Sequence, residues 1–319
     1  MGGKLRAVKR RITSVKSTQK ITRAMELISS SRIVKAQRRV EAARPYAEKM
    51  RALMASVARN SGNIDHPLLK PRDGNGRVGM VVITGDRGLA GAYNSNIIRT
   101  AERDMDRSGD TKLFLSGKKA ISYFRFRGYD FDQAWEGYSD QPRMDNAREV
   151  ARAAVESFAS GEIDEVRLAY TRYESALTQR ATIVRLLPAS AEEITGEETR
   201  DQGKHANYIF EPEPENILGL LLPRYIEGAV LQAMLEAAAS EHAARRRAMK
   251  AATDNAEELI DSLTRDYNQA RQAEITTEIM EVIGGSEALA AASQSDGADR
   301  GTEVLRGEPS STNVSRAGG

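Results

Sequence analysis

Residues 83–94 read ITGDRGLAGAYN and follow the apolar run Val78, Met80, Val81 and Val82. A β-like run that breaks into a glycine-rich turn ahead of a helix is how many nucleotide-binding folds present backbone N–H groups to phosphate. The glycines here stand at 85, 88 and 91. The stretch therefore has neither the lysine and hydroxyl residue that close a P-loop nor the G-x-G-x-x-G spacing of a dinucleotide turn. It is read as a tight bend at a sheet edge, with no nucleotide expected on it. Ser116-Gly117-Lys118-Lys119 has the same appeal and lacks the same parts. The histidines, His66, His205 and His242, are scattered, which speaks against a metal centre or a histidine-based catalytic cluster. The chain has no cysteine, which removes thiolate chemistry and disulfides. No catalytic residue, cofactor or metal ligand is expected.

The elements around this turn divide the chain of 319 residues into three parts. Hydrophobic residues reach 40% but aromatics only 5%, a balance that suits long helices better than β architecture. From Ile33 the residues Ala36, Val40, Ala43, Ala47, Met50, Met54 and Val57 step by threes and fours, a heptad seam. Leu5, Val8, Ile12 and Val15 keep the same rhythm upstream. Gln19, Thr22, Glu26 and Ser29 then make that track polar, while Ile21, Met25 and Ile28 lie on a neighbouring one, so a stutter is expected there. Pro45 is expected to bend this helix without stopping it. Near the other end, Met249, Ala252, Ala256, Leu259, Leu263 and Tyr267 form a second seam, with Ile275, Ile279 and Val282 following. Two such arms bury their narrow stripes most economically against each other, as an antiparallel pair.

The middle alternates β-like and helical runs. Strands are expected at 78–83, 112–115, 165–172 and 181–187, and helices at 94–107, 118–126 and 145–160, an α/β domain on a largely parallel sheet. The organisation is then an N-terminal coiled-coil helix over 1–60, an α/β domain over 77–209 and a C-terminal coiled-coil helix over 215–289. A polar loop is expected at 190–204 and a disordered tail at 290–319, where periodicity ends.

The net charge of +2 hides an asymmetry: up to Arg59 there are 16 Lys or Arg against Glu26, Glu41 and Glu48, a local excess of +13. Such an arm suits an acidic protein surface, nucleic acid or membrane. No aromatic residue precedes Tyr46 and the seam shares the same helix, which argues against nucleic acid. No apolar run reaches 18 residues, so no membrane insertion is expected. The acid-free start has the composition of a transit peptide, and MGGKLR places Arg6 where N-myristoylation wants a hydroxyl. Because the helical rhythm begins at Leu5, Met1 is expected to be the true start.

TQKITRAMELISSSR (18–32) with RPYAEKM (44–50) resembles the N-terminal helix of the γ subunits of F-type ATP synthases, and ITGDRGLAGAYN is similar to that family's glycine-rich turn. ASEHAARRRAMKAATDNAEELI and YNQARQAEITTEIMEVIGG resemble its C-terminal helix and signature, whose Ile-Thr-x-Glu core falls on Ile275, Thr276 and Glu278. The likeness runs in order from about 5 to 289, leaves the tail unassigned and lacks the chloroplast type's cysteine-bearing insertion.

The resemblance implies a rotor with no bond chemistry of its own: a long antiparallel coiled coil turning inside a ring of α and β subunits, with a Rossmann-like α/β domain beside ε and the c-ring. It implies a peripheral position on the cytoplasmic face of a bacterial cell membrane. It also implies subunit contacts through Arg23, Met25, Tyr208, Arg271, Gln272, Thr276 and Glu278. The alternative reading is a nucleotide-dependent α/β enzyme that oligomerises through its coiled-coil arms; a third is a basic coiled coil on nucleic acid.

Overall fold

A computed structural model of the chain describes residues 2–60, 66–70, 76–189 and 214–302. The chain divides into two compact units, residues 19–255 and a second built from 1–18 with 256–319. Two helices belong to both: α1 (Gly2–Asn60) and α5 (Pro214–Thr302).

In the first unit a five-stranded sheet has the order β3-β2-β1-β4-β5. Its strands are β1 (Val78–Ile83), β2 (Thr111–Ser116), β3 (Gln133–Trp135), β4 (Glu165–Tyr173) and β5 (Gln179–Leu187). Parallel pairing runs from β3 through β2 and β1 to β4, and β5 closes the edge as an antiparallel hairpin with β4. All six residues of β1 are buried, as a central strand covered on both faces requires. The helices α2 (Tyr93–Ser108) and α3 (Lys118–Phe126) cover one face, where Ile97, Ala101 and Phe124 meet Met80, Val82 and Leu115. After β3 the chain returns past β1, so a right-handed crossover puts α4 (Met144–Ala159) on the other face. There Val150, Ala154 and Phe158 share a core with Val81, Phe114, Leu168 and residues of α1 and α5.

Within this unit α1 and α5 run antiparallel. Met54 shares the core with Leu222 and Ile226, Ala36 and Val40 pack on Leu235 and Ala239, and Thr22 Oγ1 lies 2.8 Å from Thr253 Oγ1. Ala237, Ala238, Ala239 and Ala243 are all buried, small enough for neighbouring backbones to come close.

The expected stutter is not formed. Thr22 and Ser29 are buried and Gln19 and Glu26 half-buried, so the polar track continues the seam in unbroken heptad rhythm. The apolar track instead faces out, with Ile21 61% and Ile28 53% exposed. The hydroxyls can sit inside because each has a partner: Thr22 donates to Gln19 O, Thr253 to Met249 O and Ser29 to Met25 O. Helix α1 continues through Pro45.

In the second unit Leu5, Val8, Ile12 and Val15 are half-buried and Ala256 and Leu263 buried. The seam on α5 passes through Ile260, Tyr267, Ala270, Glu274 and Thr277. Leu259, Ile275, Ile279 and Val282, expected on the stripe, are exposed, because the 3,4 rhythm started at Ala256 selects their neighbours. Residues 290–302, expected as tail, continue α5 to Thr302, in a stretch rich in helix-favouring alanine. The remainder of the tail, the loop 190–204 and Tyr208 lie outside the described residues. Strand β3 was not expected; its three residues are largely exposed and carry no apolar alternation.

Candidate functional site

In an open parallel sheet of this kind a ligand sits where the strand order reverses, beyond the C-terminal ends of the strands on either side. Here that point lies between β1 and β4, and the glycine-rich turn leaves β1 beside it. Helix α5 fills the crevice. Ser240 Oγ donates to Thr171 O at the end of β4 (3.1 Å), and the Arg245 guanidinium donates to Gly88 O from Nε and Nη2 (both 3.3 Å). Between them the Glu241 carboxylate accepts from Arg245 and lies against Gly85, where a Cβ would stand 2.7 Å from the carboxylate carbon. A side chain at Gly85 would therefore push the Glu241 carboxylate out of its place beside Arg245.

A second carboxylate holds the turn from inside. Asp86 Oδ1 accepts from Lys118 N at the start of α3 (3.0 Å), and Oδ2 accepts from Gly137 N (3.0 Å) and Ser139 N (3.1 Å). Helix N-termini and clustered N–H groups favour an anion; in this chain Asp86 is that anion. Gly117, just before α3, has φ 103°, and a Cβ there would lie 2.2 Å from Thr84 O.

The charges packed around the turn are buried. Glu241 is 1% exposed, His242 2% and Arg245 6%. Burial pushes the Glu241 carboxyl up, opposed by the Arg245 charge. Burial pulls His242 down to about 4, with Asp140 opposing, so the ring is neutral near pH 7. Asp140 pairs with Arg32 on α1, tying the 139–142 loop to the helix pair. Among the described residues no group of three His, Asp or Glu gathers in a metal-binding arrangement.

The sequence-selected contact residues fall in two groups. Arg23 and Met25 are in the first unit: Arg23 is exposed and pairs with Glu26 at 3.1 Å, and Met25 is half-buried. Arg271, Gln272, Thr276 and Glu278 are exposed on α5 in the second unit, where Thr276 Oγ1 donates to Gln272 O at 2.9 Å.

Sequence reasoning missed Glu241 and Arg245. Their i,i+4 spacing reads as an ordinary solvated helix pair, and only the flanking alanines, which pull that face inward, signal otherwise. It missed Leu89 too, 63% exposed at the tip of the turn with φ 61°, a backbone that costs a branched side chain about 1 kcal/mol.

A family model described as ATP synthase matches residues 4–289. The ATP synthase gamma chain of Thermobifida fusca is 47% identical over 303 residues, covering 92% of this chain and 99% of that one. The gamma chain of Acidothermus cellulolyticus is 48% identical over 299 residues, 91% of this chain and 99% of its own. Among solved structures, the rotor of Euglena gracilis mitochondrial ATP synthase superposes with TM-score 0.62 at 20% identity, covering 86% of this chain and all of the other, a likeness of fold. With residues 4–289 matched by the family model and relatives near 47% identity over nine-tenths of the chain, the chain belongs to the ATP synthase gamma-chain family.

Proposed function

We propose that the chain is the central shaft of a rotary ATP synthase, carrying torque between a proton-driven ring and the nucleotide sites of neighbouring subunits, with no bond chemistry of its own. The observation that supports this most is the filled crevice: α5 and Asp86 occupy the places of cofactor and phosphate, turning a nucleotide-type fold into a mount for the helix pair. A charge crossing about 100 mV releases about 2.3 kcal/mol, so the work of several protons must be gathered for each ATP. A helix pair gripped by a sheet domain can carry that load, which a flexible linker would dissipate.

The partners in this reading are the α and β subunits around the helices, and ε and the c-ring beside the α/β domain. The basic arm suits acidic levers on β. Next to Arg23 and Met25, the exposed Ile21, Leu27, Ile28 and Val34 offer an apolar surface on α1 for the same contact. Arg271, Gln272, Thr276 and Glu278 would meet the inner wall of the ring, and Tyr208 would lie toward ε and the c-ring. Among the described residues no helix is long and apolar enough to cross a membrane, in keeping with a peripheral place on the cytoplasmic face of a bacterial cell membrane.

The test is Arg271→Ala and Gln272→Ala in the assembled complex. Arg271 has no ion pair or hydrogen bond among the described residues, so its loss should change isolated-chain stability by no more than about 0.5 kcal/mol. A guanidinium bonded to a partner carboxylate contributes about 1.5–3 kcal/mol, enough to alter turnover or coupling. Complexes that assemble normally and match the unaltered chain in both ATP hydrolysis and proton-driven synthesis would remove these residues from the contact.

A further inference from the structure

Away from the filled crevice, a cavity of about 560 Å³ opens between the α1/α5 pair and the β4–β5 side of the sheet. That volume lies in the range of small-molecule sites, about 300–1,000 Å³. Its walls are largely apolar and aromatic: Met50 and the ring of Tyr46 from α1, Leu168 from β4, and the ring of Tyr225 from α5. One end is polar in a specific way. Gln232 Nε2 donates to Glu236 Oε1 at 2.9 Å. That bond fixes the amide, because the flipped orientation would set two acceptors against each other. It leaves Gln232 Oε1 and Glu236 Oε2 buried with no hydrogen-bond partner, both on residues lining the cavity.

Two buried acceptors without donors are unfavourable to maintain. An occupant bringing N–H groups to both relieves this, while an apolar body covers the tyrosine and leucine surface. The Arg172 charge and the Tyr170 hydroxyl act on Glu236 from β4, Arg172 Nε standing 3.4 Å from Tyr170 Oη, and Arg185 also lines the wall. Their charge disfavours a second cationic group on the ligand. We infer that this cavity binds a small amphipathic monoamine, its nitrogen between Gln232 Oε1 and Glu236 Oε2 and its apolar body against Tyr46 and Tyr225.

The site is distinct from the subunit contacts of the rotary reading and does not depend on them. The test uses the full purified chain and 4-phenylbutylamine, with 4-phenylbutanol and 4-phenylbutyric acid at equal concentration, read by titration calorimetry and by the methyl resonance of Met50. The amine should bind saturably and shift Met50. Glu236→Gln, nearly isosteric, should weaken it about tenfold or more, the scale of one lost charged hydrogen bond. Ala229→Phe, which fills the space and leaves both acceptors in place, should abolish binding. Trp135 fluorescence checks that each variant is folded; if Ala229→Phe is not, Gln232→Leu with the Met50 shift takes its place. The inference is overturned if the amine shows no saturable binding, if the alcohol or acid binds as well, or if amine binding persists unchanged in these variants.

Discussion

Replacing Arg245 by alanine isolates the clamp between α5 and the glycine-rich turn. Glu241 is 1% exposed, takes its hydrogen bond from Arg245 through Oε1, and has no partner at Oε2. Without the guanidinium a buried carboxylate is left uncompensated, a change that costs about 3–5 kcal/mol, and Gly88 O loses two donors. Against a typical domain stability of about 5–15 kcal/mol the loss is large. The single tryptophan, Trp135, is in β3, and its carbonyl accepts from Gly117 N. Urea unfolding followed by its fluorescence therefore reports on the α/β domain, and should show Arg245→Ala destabilised by about 3–5 kcal/mol. Glu241→Leu combined with Arg245→Met should recover most of that. The deficit should also depend on pH. Burial already raises the Glu241 carboxyl, and loss of the Arg245 charge raises it further. A raised carboxyl holds its proton in the folded state to higher pH than in the unfolded chain, so it destabilises above the unfolded value and not below it. The deficit of Arg245→Ala should accordingly narrow as the pH falls toward about 4.5. A loss below about 1 kcal/mol, or a deficit that widens on acidification, would refute the clamp.

Thr22→Val or Thr253→Val alone should cost about 0.5–1.5 kcal/mol, since the remaining hydroxyl keeps its own backbone carbonyl and loses only the contact between the two, and the double substitution should cost less than the sum of the two; thermal melts of all three variants decide it. Asp86→Ala should lower stability at the Trp135 probe by about 1.5–3 kcal/mol, since three N–H donors lose a charged acceptor. Titration calorimetry of the unaltered chain with MgATP should show no saturable heat; binding abolished by Gly88→Val would contradict that expectation. Because burial lowers His242 to about 4 while the unfolded ring protonates near 6.5, its stabilising contribution should be present above pH 6.5 and lost progressively below it. His242→Gln should flatten the fall in stability between those values.

Where side chains obey one dominant force, the sequence was readable. The strand at 78–83 is uniformly apolar because it is covered on both faces, and α3 is bounded by a glycine before it and charge after it. The seam of α1 between Gln19 and Ser29 was misread because hydrophobicity was taken as the sign of burial. The hydroxyls go inside there, paired with backbone carbonyls and with each other, and Ile21 and Ile28 stay outside. Glu241 and Arg245 were illegible for the opposite reason: a charged i,i+4 pair is normally solvent-facing, and only tertiary packing against Gly85 and Gly88 buries it. The short β3 carries too few residues for any alternation to show. The contact residues on α1 and α5 were selected by likeness to relatives, and their exposure alone does not distinguish them from other surface.

The bond from Arg245 to the Gly88 carbonyl and the fit of Glu241 over Gly85 also index α5 along its own axis. Alanines and threonines fill much of the seam, and small residues distinguish poorly between one heptad alignment and the next. A slip of a single helical turn, about 5.4 Å, would cost the alanine stretch itself little, although it would also unseat Leu222 and Ile226 from the core around Met54. It would, however, carry the guanidinium away from its carbonyl and drive the carboxylate into backbone no longer notched by a missing side chain. Axial position is thus keyed by polar bonds, Ser240 on the Thr171 carbonyl and Arg247 on the Ala176 carbonyl as well as Arg245 on Gly88, and a twisting force applied to the sheet cannot escape as sliding of α5 along it.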